Sequence, residues 1–453
     1  MGMKLPAIVS LFFLIAAGAW ADEAQERLDV IRYGTETEIA VLIESLKKDT
    51  AYADDALDAE LIRLCRTRPD QATQNKRIVT GVLSFFGERG KGGLEDAALA
   101  IIANHANEAQ DTVASAIDYV GKLKPPKAAA VLQEVINDGA SDLLGPAIRA
   151  LGNVAEGGTR GSAADEIADF LIDLYTSRDP GAGNNGTLLS ALGETKSKKA
   201  VPFLVDIVKD GEQSASLRIA ALEALSKIGD GAALDAILGA LSAPEPTVRT
   251  AAVAALSPFS GQQADDAIIG NFRDSVFRIR AAAAKAAGER KLAAAIPYLK
   301  YRAEKDEARI VREESVRALG AIGNNAAYSA LENLFSEPKN PDYVRIMAAE
   351  MLLNNNTDAY VQRVIDAMDD AQKTRKTSLY NGFLRILSNA KSGKLASLAE
   401  RFFTSGSAVE KSAALDIVRN NRFTSLTEAV RNLTDKKNGA ALAAKAQAVL
   451  EKL

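Results

Sequence analysis

The chain has 453 residues, with 55 Lys and Arg against 59 Asp and Glu, one His, one Cys and a formal net charge of −4. One cysteine permits no internal disulfide, and one His with one Cys cannot build a zinc cluster of Cys and His ligands. An isoelectric point near 5.5 argues against a nucleic-acid reader, and aromatics at 6% with abundant Ala and Leu suit many slim helices in close contact.

From the N-terminus, Lys4 precedes an apolar run from Leu5 to Ala17, and Ala19-Trp20-Ala21 fits the small-x-small cleavage rule ahead of Asp22-Glu23. This pattern predicts a signal peptide over 1–21. The run is shorter than the ~20 residues of a membrane span, so the processed chain is expected to be soluble and periplasmic or secreted. Trp20 is the only tryptophan and would leave with the leader. Cys65, in Leu61-Ile62-Arg63-Leu64-Cys65, reads as a buried small hydrophobe.

From Gly87 onward, Gly or Asn marks recur where helices are predicted to end: Gly87, Gly121, Gly152, Gly193, Gly229, Gly288, Gly323, Asn355 and Asn389. Their separations are 34, 31, 41, 36, 59, 35, 32 and 34 residues, the 59 covering an aberrant repeat that ends at Leu256-Ser257-Pro258. A period in the low thirties filled with helix formers predicts an all-α solenoid of stacked antiparallel helix pairs, a single one over 22–453. The clearest unit runs from Ala200 to Ile228. Val201, Leu204, Val205 and Val208 share one face of a first helix. A second helix starts near Ser216, packs through Leu217, Ala220, Ala221, Ala224, Leu225 and Ile228, and stops at Gly229. The long interval after Gly152 carries glycine-rich segments at 156–163 and 178–187, which read as inserted surface loops.

Leu217-Arg218-Ile219-Ala220-Ala221-Leu222, continuing to Ile228-Gly229-Asp230, resembles the second-helix motif of HEAT repeats, in the short form also found in phycobilin-lyase-like proteins. The motif recurs at Val248-Arg249, Phe277-Arg278, Val311-Arg312 and Val344-Arg345, so the resemblance is strongest over 200–355 and implies an armadillo/HEAT-type superhelix. It also implies that Arg218, Arg249, Arg278, Arg312 and Arg345 form a structural ladder with acids near the turn, or else contact a ligand on the concave face. The acids preceding them are Asp210, Glu245, Asp274, Asp306 and Glu337, at irregular spacings.

No catalytic, metal or cofactor site is predicted. Gly181-Ala182-Gly183-Asn184-Asn185-Gly186 matches the dinucleotide-binding pattern, but it follows the helical segment Phe170 to Tyr175 instead of a strand. Gly90-Lys91 lacks the Ser or Thr of a P-loop. His105 has no sequence relation to Cys65 that suggests a catalytic set, and Asp54-Asp55 and Asp369-Asp370 read as helix-end caps.

Charge is uneven. Residues 371–453 hold 15 Lys and Arg against 6 Asp and Glu, while 22–370 hold 39 against 53. In the basic end, Lys373, Arg375, Lys376, Arg385, Lys391 and Lys394 are candidates for contact with an anionic envelope component or an acidic protein. Two function classes remain: a non-catalytic extracytoplasmic scaffold binding a protein along its second helices, and a lyase-like or enzyme-associated repeat protein.

Overall fold

The structure is a computed structural model that describes residues 23–66, 73, 75–139, 141–158, 161–179 and 183–453. The leader expected over 1–21 lies outside the described residues, as do parts of both glycine-rich segments (159–160 and 180–182). Among the described residues every regular element is helical. The chain divides into two compact units, Met1–Ala236 and Ile237–Leu453, which are described separately.

The first unit contains α1 (23–33), α2 (Glu36–Lys48), α3 (Asp55–Leu64), α4 (Lys76–Arg89), α5 (Glu95–Ala103), α6 (Gln110–Leu123) and α7 (Ala128–Asp138). It continues with α8 (Ser141–Gly158), α9 (Ser162–Thr176), α10 (Asn185–Thr195), α11 (Ala200–Lys209) and α12 (Ala215–Ile228). The division falls within α13 (Leu234–Ala240). The second unit holds α14 (Pro246–Ala255), α15 (Gln262–Gly270), α16 (Phe277–Glu289), α17 (Ile296–Lys305), α18 (Arg309–Ile322) and α19 (Asn325–Ser336). Then come α20 (Asp342–Lys373), α21 (Thr377–Asn389), α22 (Leu395–Ser405), α23 (Ala408–Asn421), α24 (Thr427–Arg431) and α25 (Ala440–Leu450).

In each unit the helices alternate between two rows. The second helices α2, α4, α6, α8, α10 and α12 each pack on the next, and α14, α16, α18, the first half of α20, α21, α23 and α25 do the same. First helices such as α5, α7, α11, α17 and α22 pack on their own second helix from the other side. This is an α-solenoid of stacked antiparallel helix pairs.

The Ala200 to Ile228 repeat shows how the sequence builds it. Asp210 ends α11, the Ser214 side chain accepts the Leu217 N–H to start α12, and Gly229 closes α12 at φ 66°. Ile207 and Leu222 are buried beyond the residues the pattern assigned. A second helix touches its own partner and a flanking second helix, so its apolar stripe is wider than that of a surface helix.

The periodic glycines have a different cause from the one the sequence suggests. Gly229 and Gly323 end helices in the left-handed conformation, at φ 66° and 64°. Gly87, Gly121, Gly152, Gly193 and Gly288 instead lie inside α4, α6, α8, α10 and α16. A Cβ built on Gly121 would stand 3.1 Å from the Cβ of Ala150, and one on Gly152 2.9 Å from that of Ala191. The same atom on Gly193 would be 2.7 Å from the Cα of Ala224, and on Gly288 2.8 Å from that of Ala318. In these four the glycine of one second helix seats an alanine of the next, and the period reports helix contact, which only small residues permit at this distance; a Cβ on Gly87 would meet Lys122 and Tyr119 at ordinary contact distances of 3.5 and 3.6 Å. Asn355 is followed by Asn356, whose φ of −154° and ψ of 83° divide α20 into a second helix and the next first helix. Several remaining helix ends place a basic residue in the left-handed conformation: Lys124 at φ 56°, Lys196 at 51° and Arg422 at 53°. Such a conformation costs about 1 kcal/mol without glycine, and a cation at the helix C-terminus offsets part of that.

Candidate interaction surface

The recurring arginines face inward. Arg218 donates from Nε to the Val208 carbonyl at 3.1 Å, and Arg345 to the Phe335 carbonyl at 2.9 Å. Arg249 donates to the carbonyls of Ala243 and Pro244 at 2.8 and 3.1 Å, and Arg312 to that of Asp306. All sit at the fourth residue of their second helix, where the side chain leans back over the first turn toward the end of the preceding helix. The carbonyls of Val208 and Phe335 belong to the last turn of the preceding helix, where they lack partners within it, and those of Ala243, Pro244 and Asp306 lie in the connection that follows it. Each arginine thus ties its second helix to the end of the first or to the connection between them.

Arg278 does not take this place. It is the second residue of α16, exposed, with its guanidinium 5.8 Å from the Phe277 ring centroid. The fourth residue is Arg280, which is buried and donates from Nη1 to the carbonyls of Asp274 and Ser275 at 3.0 and 3.1 Å. Its Nε and Nη2 grip the Asp306 carboxylate at 2.7 and 2.8 Å. Burial works against ionisation of Asp306. The Arg280 hydrogen bonds, the Ala308 N–H and the charges of Arg280 and Arg302 outweigh it and hold the carboxyl below its ordinary value.

The acids also serve differently from the expected pattern. Asp274 lies 3.6 Å from Arg249, and Asp306 pairs with Arg280, so each carboxylate serves the arginine of the preceding repeat while its carbonyl serves its own. The result is a short ladder over Arg249, Asp274, Arg280, Asp306 and Arg312, with the guanidinium forks turned into the stack.

The surface features that face outward are of another kind. In the first unit, second helices α2, α4 and α6 line a groove of about 780 Å³, with Val41, Ser45, Thr80, Gly81, Ser84 and Ser115 in its walls. Val41 is 63% exposed. Small hydroxyl residues and Gly81 keep the walls low, while Glu44, Lys47, Lys48 and Arg77 rim it. A second groove of about 510 Å³ lies on α1 and α2 around Val30 and Tyr33, with Glu26, Asp29 and Glu38 at its edge.

The six basic residues expected to act together in the second unit fall into separate groups. Lys373, Arg375 and Lys376 are exposed in the turn before α21, and Lys391 and Lys394 follow its far end. Thirteen helical residues place the two groups about 20 Å apart. Arg385 approaches Glu350 at 3.8 Å, Lys394 donates to the Asp358 carbonyl at 2.7 Å, and Lys391 lines a groove of about 260 Å³ with Asn354 and Asn389.

The residues most able to carry chemistry are otherwise engaged. Cys65 is fully buried at the end of α3, and burial pushes its thiol up to about 12. His105 sits in a short 3₁₀ turn with Nδ1 3.0 Å from the Ile102 carbonyl and Nε2 2.9 Å from Asp138. Phe170 to Tyr175 belongs to α9, so the glycine-rich pattern at 181–186 lacks the preceding strand that dinucleotide binding requires. Among the described residues no His, Cys, Asp or Glu group could hold a metal ion, and no helix is long and apolar enough to cross a membrane.

Stacked helix pairs, a clamping arginine in successive repeats and small-residue contacts between second helices define a helical-repeat solenoid of the HEAT type. The chain belongs to the spirochaete HEAT repeat protein family, whose model matches residues 31–449. No curated protein matches it in sequence. Similar solved structures include Kap95p with RanGDP, at 11% identity over 99% of this chain and 71% of that one, TM-score 0.47. The CpcE–CpcF complex of phycocyanin lyase from Nostoc sp. PCC7120 is 20% identical over 50% of this chain and 88% of its own, TM-score 0.35. Human deoxyhypusine hydroxylase in complex with glycerol is 19% identical over 52% of this chain and 99% of its own, TM-score 0.24. A HEAT-repeat solenoid is an architecture fitted to protein partners.

Proposed function

We propose that the protein is a non-catalytic scaffold outside the cytoplasm, which holds a protein partner along the second helices of its first unit. The observation that carries this reading is the groove across α2, α4 and α6, where Val41 stands exposed between small residues of three successive repeats. An apolar anchor with a charged rim is the arrangement a protein segment recognises. The buried thiol of Cys65 and the occupied ring of His105 support a role without catalysis. Export rests on the leader pattern of residues 1–21.

Two measurements test the two halves of the proposal. Protein purified from the cell envelope should begin at Asp22 by mass and show no indole emission, since Trp20 is the only tryptophan. Indole fluorescence, or recovery only from the cytoplasm, would overturn the location. Crosslinking and pull-down from the envelope should yield a partner that is lost from V41E protein of unchanged melting temperature. Equal recovery with V41E would overturn the groove.

A further inference from the structure

We infer that the chain associates head to tail with a second copy of itself, the acidic groove on α1 and α2 of one copy receiving the basic turn before α21 of the other. This stands apart from the partner groove around Val41.

Each surface pairs charge with an exposed apolar centre. On the acidic side, residues 23–64 hold 11 Asp and Glu against 5 Lys and Arg. Tyr33 is 82% exposed in a groove edged by Glu26, Asp29 and Glu38. Glu38 is committed to the helix start, accepting the backbone N–H of Thr35 at 2.7 Å. Glu26 and Asp29 form no ion pair among the described residues, Asp29 accepting only from the Gln25 amide at 2.8 Å.

On the basic side, residues 371–399 carry six Lys and Arg and no Asp or Glu. Lys373, Arg375 and Lys376 are exposed and unpaired among the described residues, with Arg375 in the left-handed conformation at φ 58°. Gln372 donates to Glu410 at 3.4 Å, which sets this turn beside Val409, 64% exposed at the start of α23. Two of the neighbouring acids are engaged: Asp369 takes both Nη atoms of Arg401 at 2.8 and 2.7 Å, and Glu410 accepts from the Tyr380 hydroxyl and the Ser407 N–H. Asp370, which forms no ion pair among the described residues, offsets only one of the three cations. The turn therefore presents net positive charge around an apolar residue, the complement of the Tyr33 groove. The two surfaces differ, so the contact is heterologous and leaves one free surface of each kind, which extends the assembly into chains or closes it into a ring.

Sedimentation of the purified protein at low and high salt tests this. Wild-type protein should form species larger than a monomer at low salt that dissociate as salt shortens the Debye length below about 10 Å. The E26K/D29K and K373E/R375E/K376E variants should each be monomeric, with wild-type circular dichroism. Mixed together, they should associate again, because the wild-type turn of one meets the wild-type groove of the other and the two charge-reversed surfaces also complement each other. Wild-type protein that stays monomeric at low salt would overturn the inference. So would either variant assembling like wild type, or a mixture that fails to pair. Binding of the wild type to anionic lipid vesicles through the 373–376 turn, without self-association, would also overturn it and assign that turn to a membrane surface.

Discussion

Replacing Gly193 with Ala tests the reinterpretation of the periodic glycines. In an ordinary helix interior this change stabilises by roughly 0.5–1 kcal/mol, because glycine loses more backbone entropy on folding. At Gly193 the new methyl would lie 2.7 Å from the Cα and 3.0 Å from the Cβ of Ala224. Ordinary carbon contacts need about 3.5–4 Å, so α10 and α12 must separate by several tenths of an ångström or more. Overpacking of this kind costs about 1–3 kcal/mol, which exceeds the propensity gain, and we expect net destabilisation of about 1–2 kcal/mol. Gly186 is the internal control: it lies in the same helix, and a Cβ there meets nothing within 4 Å. Its replacement by Ala should be neutral or stabilising. A long repeat stack need not unfold in one step, so hydrogen exchange of the α10 and α12 amides is the suitable assay. Lower protection in G193A but not in G186A is the expected result. Equal protection in the two variants would refute the contact explanation.

Three other outcomes follow from the same geometry. Replacing Arg280 with Met strands the fully buried Asp306 carboxylate and should cost about 3–5 kcal/mol in urea unfolding of the second unit, whereas exposed Arg278 changed to Met should cost less than about 0.5 kcal/mol. Asp306 is held below its ordinary value of 3.8 in the folded state, so its contribution is present in full above that value and is lost as pH falls through the lowered one. Acid titration of stability should therefore be shallower in D306N than in wild type. Cys65 should resist a thiol reagent at neutral pH and react fully once the chain is unfolded in urea; rapid labelling of the folded protein would contradict its burial.

Fold class was legible because periodicity survives single-residue variation: the 3.6-residue stripes and the thirty-odd-residue interval both arise from every repeat solving the same packing problem. The meaning of the glycines was not legible. A glycine past a helix end and one pressed against the next helix leave the same mark in the sequence, and only the neighbouring alanine, more than twenty residues away, separates them. The arginine ladder was half visible. Phe277-Arg278-Ile279-Arg280 offers two candidates, and the choice depends on where α16 begins, since the fourth helical residue reaches the preceding carbonyls and the second points to solvent. The acids were assigned to the repeat they precede, although their carboxylates act one repeat earlier, a relation that exists only after stacking. The grooves left a weak signal. Ile39, Ala40, Ile43 and Leu46 form the buried stripe of α2, and Val41 is an apolar residue off that stripe, a signal the sequence reading did not use.

The most direct test of the account is photocrosslinking in intact cells from a photoreactive residue placed at Val41, compared with one at Glu134. Val41 lies in the second-helix groove and Glu134 is exposed on the first helix α7. The account predicts a discrete crosslinked protein at Val41, absent at Glu134 and found with the envelope fraction. The absence of any adduct at Val41, or the same adducts at both positions, would contradict it.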